Sequence, residues 1–297
     1  MKQHYQWGKQ KKDYKMKERI KRYFKKLFKI LKKPEMSILP SNIAFNLILA
    51  LIPLLTIVVL IASSFDISIA KVASLVESII PKQVSDIIIE VISGKGFDNS
   101  VGIFNIAAFV IASNGTYAII TTSDALYKIQ EKNEIKKRIS AIIILLIIIT
   151  LFVFLLVIPI FGENILELMN KAKILENFTD EIILIFKILK WPLTLLIIYF
   201  NIKLIYAVAP SKNIKSSETT YGAVFTTIMW SILTIVFRFY LAYFARYDIL
   251  YGNLSSIIIL MIWIYLLSYI FTLGIAINVS RIEEQESVID PNASNII

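Results

Sequence analysis

Long uncharged runs alternate with short charged segments along this chain, and the longest run lies near its C-terminal end. No charged residue occurs between Leu254 and Val279. About 20 helical residues cross the roughly 30 Å hydrocarbon core of a bilayer, because each residue rises about 1.5 Å. Buried helices of soluble domains seldom stay uncharged for so long, so this run predicts a transmembrane helix.

The same pattern predicts five further spans upstream, and it therefore predicts an all-α, polytopic membrane protein. We place the six spans at about residues 43–63, 101–122, 139–161, 182–208, 220–244 and 254–279. Charges interrupt residues 66–99, which favours two short extracytoplasmic surface helices joined at Pro81. The predicted organisation is a basic arm at 1–40, a six-span domain at 41–280 and an acidic cytoplasmic tail at 281–297 that we expect to be disordered.

The N-terminal arm carries most of the chain's excess positive charge. Residues 1–33 contain 14 of the 32 basic residues and 2 of the 22 acidic ones. An apolar stripe from Tyr14 to Lys33 predicts an amphipathic helix at an anionic leaflet, and a solvated basic tail is the alternative. Its lipid-binding cations would be Lys21, Arg22, Lys25, Lys26 and Lys29.

The loop charges predict the orientation of the spans. The arm, the 123–138 loop and the 209–219 loop carry 14, 5 and 2 basic residues. The alternate loops, 64–100, 163–181 and 245–253, carry 3, 2 and 1. Since basic residues are retained in the cytoplasm, both termini of this plasma-membrane protein should be cytoplasmic.

The residue content argues against several kinds of chemistry. The chain has no cysteine, and its one histidine, His4, lies in the polar arm. A hydrolytic metal centre needs several converging ligands, and a nucleotide site of the P-loop type needs a glycine-rich loop that the sequence lacks. We therefore expect no enzyme activity, no metal or other cofactor, and no nucleic-acid partner.

Polar side chains recur at helical spacing on four of the predicted spans. Such stripes are usually hydrogen-bonding contacts between helices, and a hydrated groove enclosed by the spans is the alternative. Arg238 in the fifth span leaves the same choice open: it either lines the groove or snorkels to the membrane surface. The groove hypothesis comprises Asn46, Pro53, Ser113, Tyr117, Thr121, Asp124, Ser231, Thr234, Arg238, Tyr265, Thr272 and Asn278.

Four separated motifs resemble the YihY/BrkB family of bacterial inner-membrane proteins, whose members have been labelled ribonucleases. They are Ala44-Phe45 through Leu55, Ala112 to Tyr127, Leu204 to Pro210 with Tyr221-Gly222-Ala223 and Trp230, and Tyr251 to Asn278. Many relatives carry an acidic residue between the last glycine and asparagine, where this chain has Ala276. The resemblance implies an inner-membrane protein associated with envelope integrity and with movement of lipids or related amphiphiles.

Three functions are consistent with this pattern. The first is a transporter or translocase that moves a lipid or another anionic amphiphile through the polar groove, with membrane lipids as its partners. The second is a non-transporting membrane protein that binds partners or organises the envelope. The third, a membrane-embedded enzyme, has the least support, because the carboxylates lie mostly in loops on opposite sides of the membrane.

Overall fold

The structure is a computed structural model in which helices account for the regular secondary structure of the part it describes. It describes residues 28–64, 102–130, 133–151, 179–243 and 251–289, together with residues 70, 77, 82, 84–86 and 89. No strand occurs in these ranges. The all-α prediction is therefore confirmed for the described residues.

Six long helices, numbered α1 to α6, occur within these ranges, and each overlaps one of the six predicted spans. Five of them are α1 Glu35–Ser64, α2 Gly102–Leu126, α4 Thr179–Val208, α5 Thr220–Tyr243 and α6 Ser255–Ile289. The described part of α3 covers residues 134–151. A 3₁₀ turn, Gly252–Leu254, precedes α6.

Length and composition alone identify two membrane-crossing candidates among these helices. Thr220–Tyr243 and Ser255–Gln285 are long and apolar enough to span a bilayer, and Glu35–Leu51 and Pro192–Val208 are shorter apolar segments. Exposed apolar side chains also cover α4 and α5, among them Leu196, Phe200, Ile235 and Phe239. Contiguous apolar surface of this kind suits contact with lipid better than contact with water.

Helices α1 and α6 extend furthest beyond the predicted spans, and α6 corrects the sequence analysis. Helix α1 begins at Glu35 and includes both Pro40 and Pro53. Helix α6 continues to Ile289, so the disorder predicted after residue 281 is wrong for residues 281–289. The extension has partners: the Arg281 guanidinium lies 3.3 Å from the centre of the Tyr221 ring, and Lys128 pairs with Glu283 at 3.7 Å.

Several other predictions fall on residues outside the described ranges. These are most of the surface helices at 66–99, the arm residues Lys21, Arg22, Lys25 and Lys26, and the tail beyond residue 289. Of the predicted lipid-binding cations, Lys29 is described, and it is exposed. Residues 28–31 are helical and a turn follows at 32–34, so this helix ends close to Lys33, where the predicted amphipathic helix ends.

The helices pack in a connected bundle with its main core toward the end where α1 begins and α2 ends. Helix α1 packs along α2, α6 packs against both α1 and α5, and α4 packs against α5. Helices α1 and α2 approach closely at Gly115, where an added Cβ would lie 3.1 Å from Ala50 and Leu47. The core combines side chains from all of these helices, including Ile30, Met36, Ile43, Ile120, Leu126, Ile144, Ile202, Tyr206, Ala223 and Ile275.

Candidate functional site

The closest approach of two helices in the described part brings α5 and α6 together at two glycines. A Cβ added to Gly222 would overlap the carbonyl oxygen of Gly274, so the backbones touch where a larger residue could not fit. The backbone N–H of Gly222 donates to Asn278 Oδ1 at 2.7 Å, and Asn278 is fully buried. This polar bond stabilises a crossing that small residues permit, as is usual for helices packed in membranes.

Tyr206 joins α4 to the same crossing. Its hydroxyl donates to the carbonyl of Phe271 at 2.8 Å, so it accepts the hydroxyl of Thr226 at 2.7 Å. One turn further along α5, the indole N–H of Trp230 donates to the carbonyl of Leu267 at 2.9 Å. We call the set Tyr206, Gly222, Thr226, Trp230, Gly274 and Asn278 the α4–α5–α6 junction.

Asp124, in the polar stripe predicted on α2, contacts the loop after α4, which the predicted topology places in the cytoplasm. The carboxylate of Asp124 is buried and accepts the N–H and the hydroxyl of Ser211 at 2.8 and 2.7 Å. Lys137 Nζ lies 3.9 Å from the same carboxylate. Asp124 therefore ties the loop after α4 to the end of α2 and to the start of α3.

Tyr117 bonds the start of α3, because its hydroxyl donates to the carboxylate of Glu134. That hydrogen bond and the charge of Lys137 hold the pKa of Glu134 below its usual value. Ser113 and Thr121 instead donate to carbonyls within their own helix, those of Val110 and Ala118. Two of the four predicted groove residues on α2 thus contact the start of α3 or the loop after α4.

The polar residues of the stripe on α5 become more exposed from the N-terminal to the C-terminal part of the helix. Thr227 is buried, Ser231 and Thr234 are half-buried, and Arg238 is exposed. The three hydroxyls donate to carbonyls one turn earlier, at 2.8 to 2.9 Å, as is common for serine and threonine in membrane helices. We call these four residues the α5 seam.

The remaining predicted groove residues lie on α1 and α6. Asn46 and Pro53 are half-buried, and the Asn46 amide bonds Asn42 in its own helix. On α6, Thr272 is fully buried and Tyr265 is 36% exposed. The described contacts thus place the predicted residues in separate groups and do not join the stripes of α1, α2 and α5 to one another.

Sequence reasoning found the junction only in part. The motif residues Tyr206, Gly222, Trp230, Gly274 and Asn278 all converge there, which spacing along the chain does not reveal. The sequence analysis did not identify Thr226, Ser211, Glu134 or Lys137. Ser211 lies in a loop, and the other three lie on helices but belong to no predicted polar stripe. Within the described ranges, no three His, Asp or Glu side chains come together as metal ligands would.

Comparison with known proteins gives consistent matches over most of the chain. A family model described as Virulence factor BrkB matches residues 27–296. The Bacillus subtilis protein YfkH, described as ribonuclease-like, is 29% identical over 245 residues, which are 80% of this chain and 87% of that protein. A UPF0761 membrane protein of Vibrio parahaemolyticus is 25% identical over 276 residues, with 89% and 83% covered. No solved structure matches the chain.

Proposed function

The chain belongs to the BrkB virulence factor family of membrane proteins, and from this premise we propose that it translocates an anionic amphiphile, such as a phospholipid, across the plasma membrane. The observation that carries the proposal is the α5 seam. It leads from a buried hydroxyl at Thr227 to an exposed guanidinium at Arg238 on a helix otherwise covered by apolar side chains.

A polar strip on an apolar helix suits a substrate that is itself polar at one end and apolar at the other. The headgroup of a phospholipid cannot cross hydrocarbon without losing its hydration, which is costly for a charged group. Along the α5 seam, hydroxyls that turn away from the carbonyls of their own helix could donate to the headgroup and replace part of that hydration, while the acyl chains stay in lipid. The seam therefore supports translocation of an amphiphile more than transport of a small ion.

Arg238 supplies the selectivity that the proposal requires. A guanidinium has a planar fork of donors that matches a phosphate, and its hydrogen bonds to that anion are charge-assisted. An arginine within an apolar helix is costly unless it meets water, a headgroup or a polar partner. An anionic headgroup that reaches the exposed end of the seam would form charge-assisted hydrogen bonds with Arg238.

The proposed orientation places the two ends of the seam at different depths. Six spans with both termini in the cytoplasm, as the loop charges indicate, would start α5 at the inner surface and end it at the outer one. Thr227 would then lie in the inner half of the bilayer, and Arg238 would lie near the outer headgroups. The seam would extend about 16 Å along α5, which is roughly half of the ~30 Å hydrocarbon barrier that a headgroup meets.

A second candidate function is an envelope-organising membrane protein that binds partners without transport. The α4–α5–α6 junction favours it, because most of the motif residues bond one another and make a rigid contact between helices. RNA cleavage has less support. The ribonuclease-like description belongs to the Bacillus protein, and the junction of this chain carries hydroxyls, an amide and an indole rather than a general acid and base.

Reconstitution in vesicles distinguishes the two candidates. The purified protein would be placed in vesicles that contain fluorescent phosphatidylglycerol in both leaflets, and an impermeant reductant would be added outside. Translocation predicts loss of more than the outer half of the fluorescence, at a rate that depends on the protein content. Loss of only the outer half, as in empty vesicles, would reject translocation and leave the envelope-organising function.

A further inference from the structure

Arg281 and Tyr221 form a contact at the end of the bundle where α5 begins and the uncharged run of α6 stops. The Arg281 guanidinium lies over the Tyr221 ring, 3.3 Å from its centre. Arg281 is the first charged residue after the run from Leu254 to Val279. Tyrosine is enriched where membrane helices meet water. We therefore expect both residues at one membrane surface, at the level of the lipid headgroups.

The tyrosine ring holds the guanidinium without using its hydrogen-bonding fork. A cation over an aromatic face is attracted by the electrons of the ring. The guanidinium keeps a planar fork of N–H donors that matches the oxygens of a phosphate. Among the described residues, Arg281 makes no ion pair, and Glu283, two residues further on, pairs with Lys128 instead. The contact thus presents an oriented cation that no described carboxylate neutralises.

An exposed apolar stripe leads from this contact along α5. It starts at Tyr221, whose side chain is 53% exposed. It continues at helical spacing through side chains that are 42 to 70% exposed, namely Val224, Ile228, Ile232, Ile235 and Phe239. The stripe lies about a quarter of a turn around the helix from the α5 seam. A cation at one end of a long apolar surface suits a ligand with one anionic end and an apolar remainder.

Arg238 lies near the other end of the same helix. Seventeen residues separate Tyr221 from Arg238. They correspond to about 26 Å along the helix axis, which is close to the ~30 Å thickness of the hydrocarbon core. We therefore expect the Arg281–Tyr221 contact and Arg238 at opposite surfaces of the membrane.

We propose that Arg281 and Tyr221 form a second anionic-headgroup site, which binds the phosphate of a phospholipid whose acyl chains lie on the exposed stripe of α5. The guanidinium donates to the phosphate, and the ring fixes the position of the guanidinium. The role of the site rests on the translocation proposed above, because a translocated lipid leaves one surface and arrives at the other. Binding at the site does not require translocation.

Photo-crosslinking of the full-length protein in nanodiscs tests the site. Phosphatidylcholine nanodiscs would contain a small fraction of a probe with a diazirine near the top of one acyl chain. The probe would be either phosphatidylglycerol or diacylglycerol, which has the same chains but no phosphate. Mass spectrometry would give the crosslinking yield in residues 220–235 of α5. The ratio of the two yields measures the effect of the phosphate at this site, apart from lipid bound by the N-terminal arm.

Arg281→Gln should lower this ratio about ten-fold, because it removes charge-assisted hydrogen bonds to the phosphate. Lys212→Gln is the matched control, because it removes an exposed cation from the loop before α5. It should leave the ratio close to that of the unmodified protein. An unchanged ratio in Arg281→Gln, or equal losses in both variants, would overturn the proposal. If Arg281→Gln does not fold, Arg281→Lys replaces it, and an unchanged ratio would again overturn the proposal, because lysine lacks the fork.

Variants of Tyr221 test the role of the ring. Tyr221→Phe keeps an aromatic face under the guanidinium and should keep the ratio of the unmodified protein. Tyr221→Leu removes that face and should lower the ratio, because the guanidinium is no longer held in place. Equal ratios in these two variants would contradict the role of the ring.

Soluble glycerol phosphate distinguishes a lipid from a free phosphate as the ligand. In excess over the probe it should leave the ratio unchanged, because it cannot contact the apolar stripe. Loss of the ratio would mean that the site takes a soluble phosphate and would overturn the assignment to a lipid. A protein that keeps the Arg281-dependent ratio but fails the vesicle assay would retain this site and lose the proposed translocation.

Discussion

The backbone N–H of Gly222 and the side-chain oxygen of Asn278 are 2.7 Å apart across the α5–α6 crossing, and neither residue is exposed. The bond forms only because Gly222 and Gly274 let the two backbones touch. One turn away, Tyr206 links α4 to both helices through Thr226 and Phe271. The residues that identify the family thus hold three helices in one fixed arrangement.

A methyl group at the crossing should separate these helices. Gly222→Ala would push its Cβ into the carbonyl oxygen of Gly274, and backbone cannot move aside as a side chain can. Overpacking of this kind costs about 1–3 kcal/mol, which would lower the midpoint of thermal unfolding in detergent. Gly115→Ala is the matched control, because its Cβ would meet side chains of Ala50 and Leu47 at 3.1 Å. A larger loss in Gly115→Ala would contradict this account of the junction.

Asp124 should control the order of the loop after α4. Asp124→Asn removes the negative charge that faces Lys137 and weakens the charge-assisted bonds from Ser211. We expect faster hydrogen exchange at the amide of Ser211, with little change in the middle of α4. Glu134→Gln is the control, because Glu134 is exposed and does not contact Ser211 through any described bond. Unchanged exchange at Ser211 in Asp124→Asn would show that the loop is held by other contacts.

The orientation of the spans can be tested at two exposed positions. Asp86 lies in the loop predicted to be outside the cell, and Asn213 lies in the loop predicted to be cytoplasmic. An impermeant thiol reagent applied to intact cells should label Asp86→Cys and spare Asn213→Cys, while both should react after the membrane is opened. Ser85, the neighbour of Asp86 in the same loop, is fully buried, so a cysteine there would not be accessible to the reagent. Labelling of Asn213→Cys in intact cells would reverse the topology.

The N-terminal arm should bind anionic lipid through its basic face. About 1 kcal/mol per basic residue is typical near an anionic leaflet, and salt weakens it. A peptide of residues 14–33 should partition to phosphatidylglycerol vesicles far more strongly than to neutral ones. Replacement of Lys21, Arg22, Lys25, Lys26 and Lys29 by glutamine should weaken the preference while keeping the apolar stripe, because it leaves five of the ten basic residues of the peptide. Equal partitioning of the original peptide to both vesicle types would favour a solvated tail.

Local pattern was sufficient to predict the helices, because an uncharged run of about 20 residues has few other structures open to it. It placed the start of α5 at about residue 220, and the helix begins at Thr220. The predicted end of α6 was too early, because the acidic composition after Arg281 is typical of a disordered tail. It does not indicate the contacts of Arg281 with Tyr221 and of Glu283 with Lys128, which are distant in sequence.

The candidate site was harder to predict than the helices for a related reason. Periodicity assigns a residue to a face of its own helix, but it does not say which helix covers that face. Tyr117 and Asp124 share the predicted stripe on α2, yet Tyr117 bonds Glu134 at the start of α3, whereas Asp124 bonds Ser211 in the loop after α4. Prediction of the junction would have required the relative depths of α4, α5 and α6 in the bundle, and these are known only from tertiary contacts.

The most direct test of the proposed translocation compares Arg238→Gln with Lys203→Gln in the vesicle assay. Each variant removes one cation from a helix, but Arg238 ends the α5 seam, whereas Lys203 lies on α4 with its ammonium 5.9 Å from the Tyr199 ring. The account predicts that Arg238→Gln slows phosphatidylglycerol translocation severely, that Arg238→Lys restores it in part because the bidentate contact is lost, and that Lys203→Gln is close to the unmodified protein. Equal rates in Arg238→Gln and the unmodified protein, with both variants folded, would contradict it.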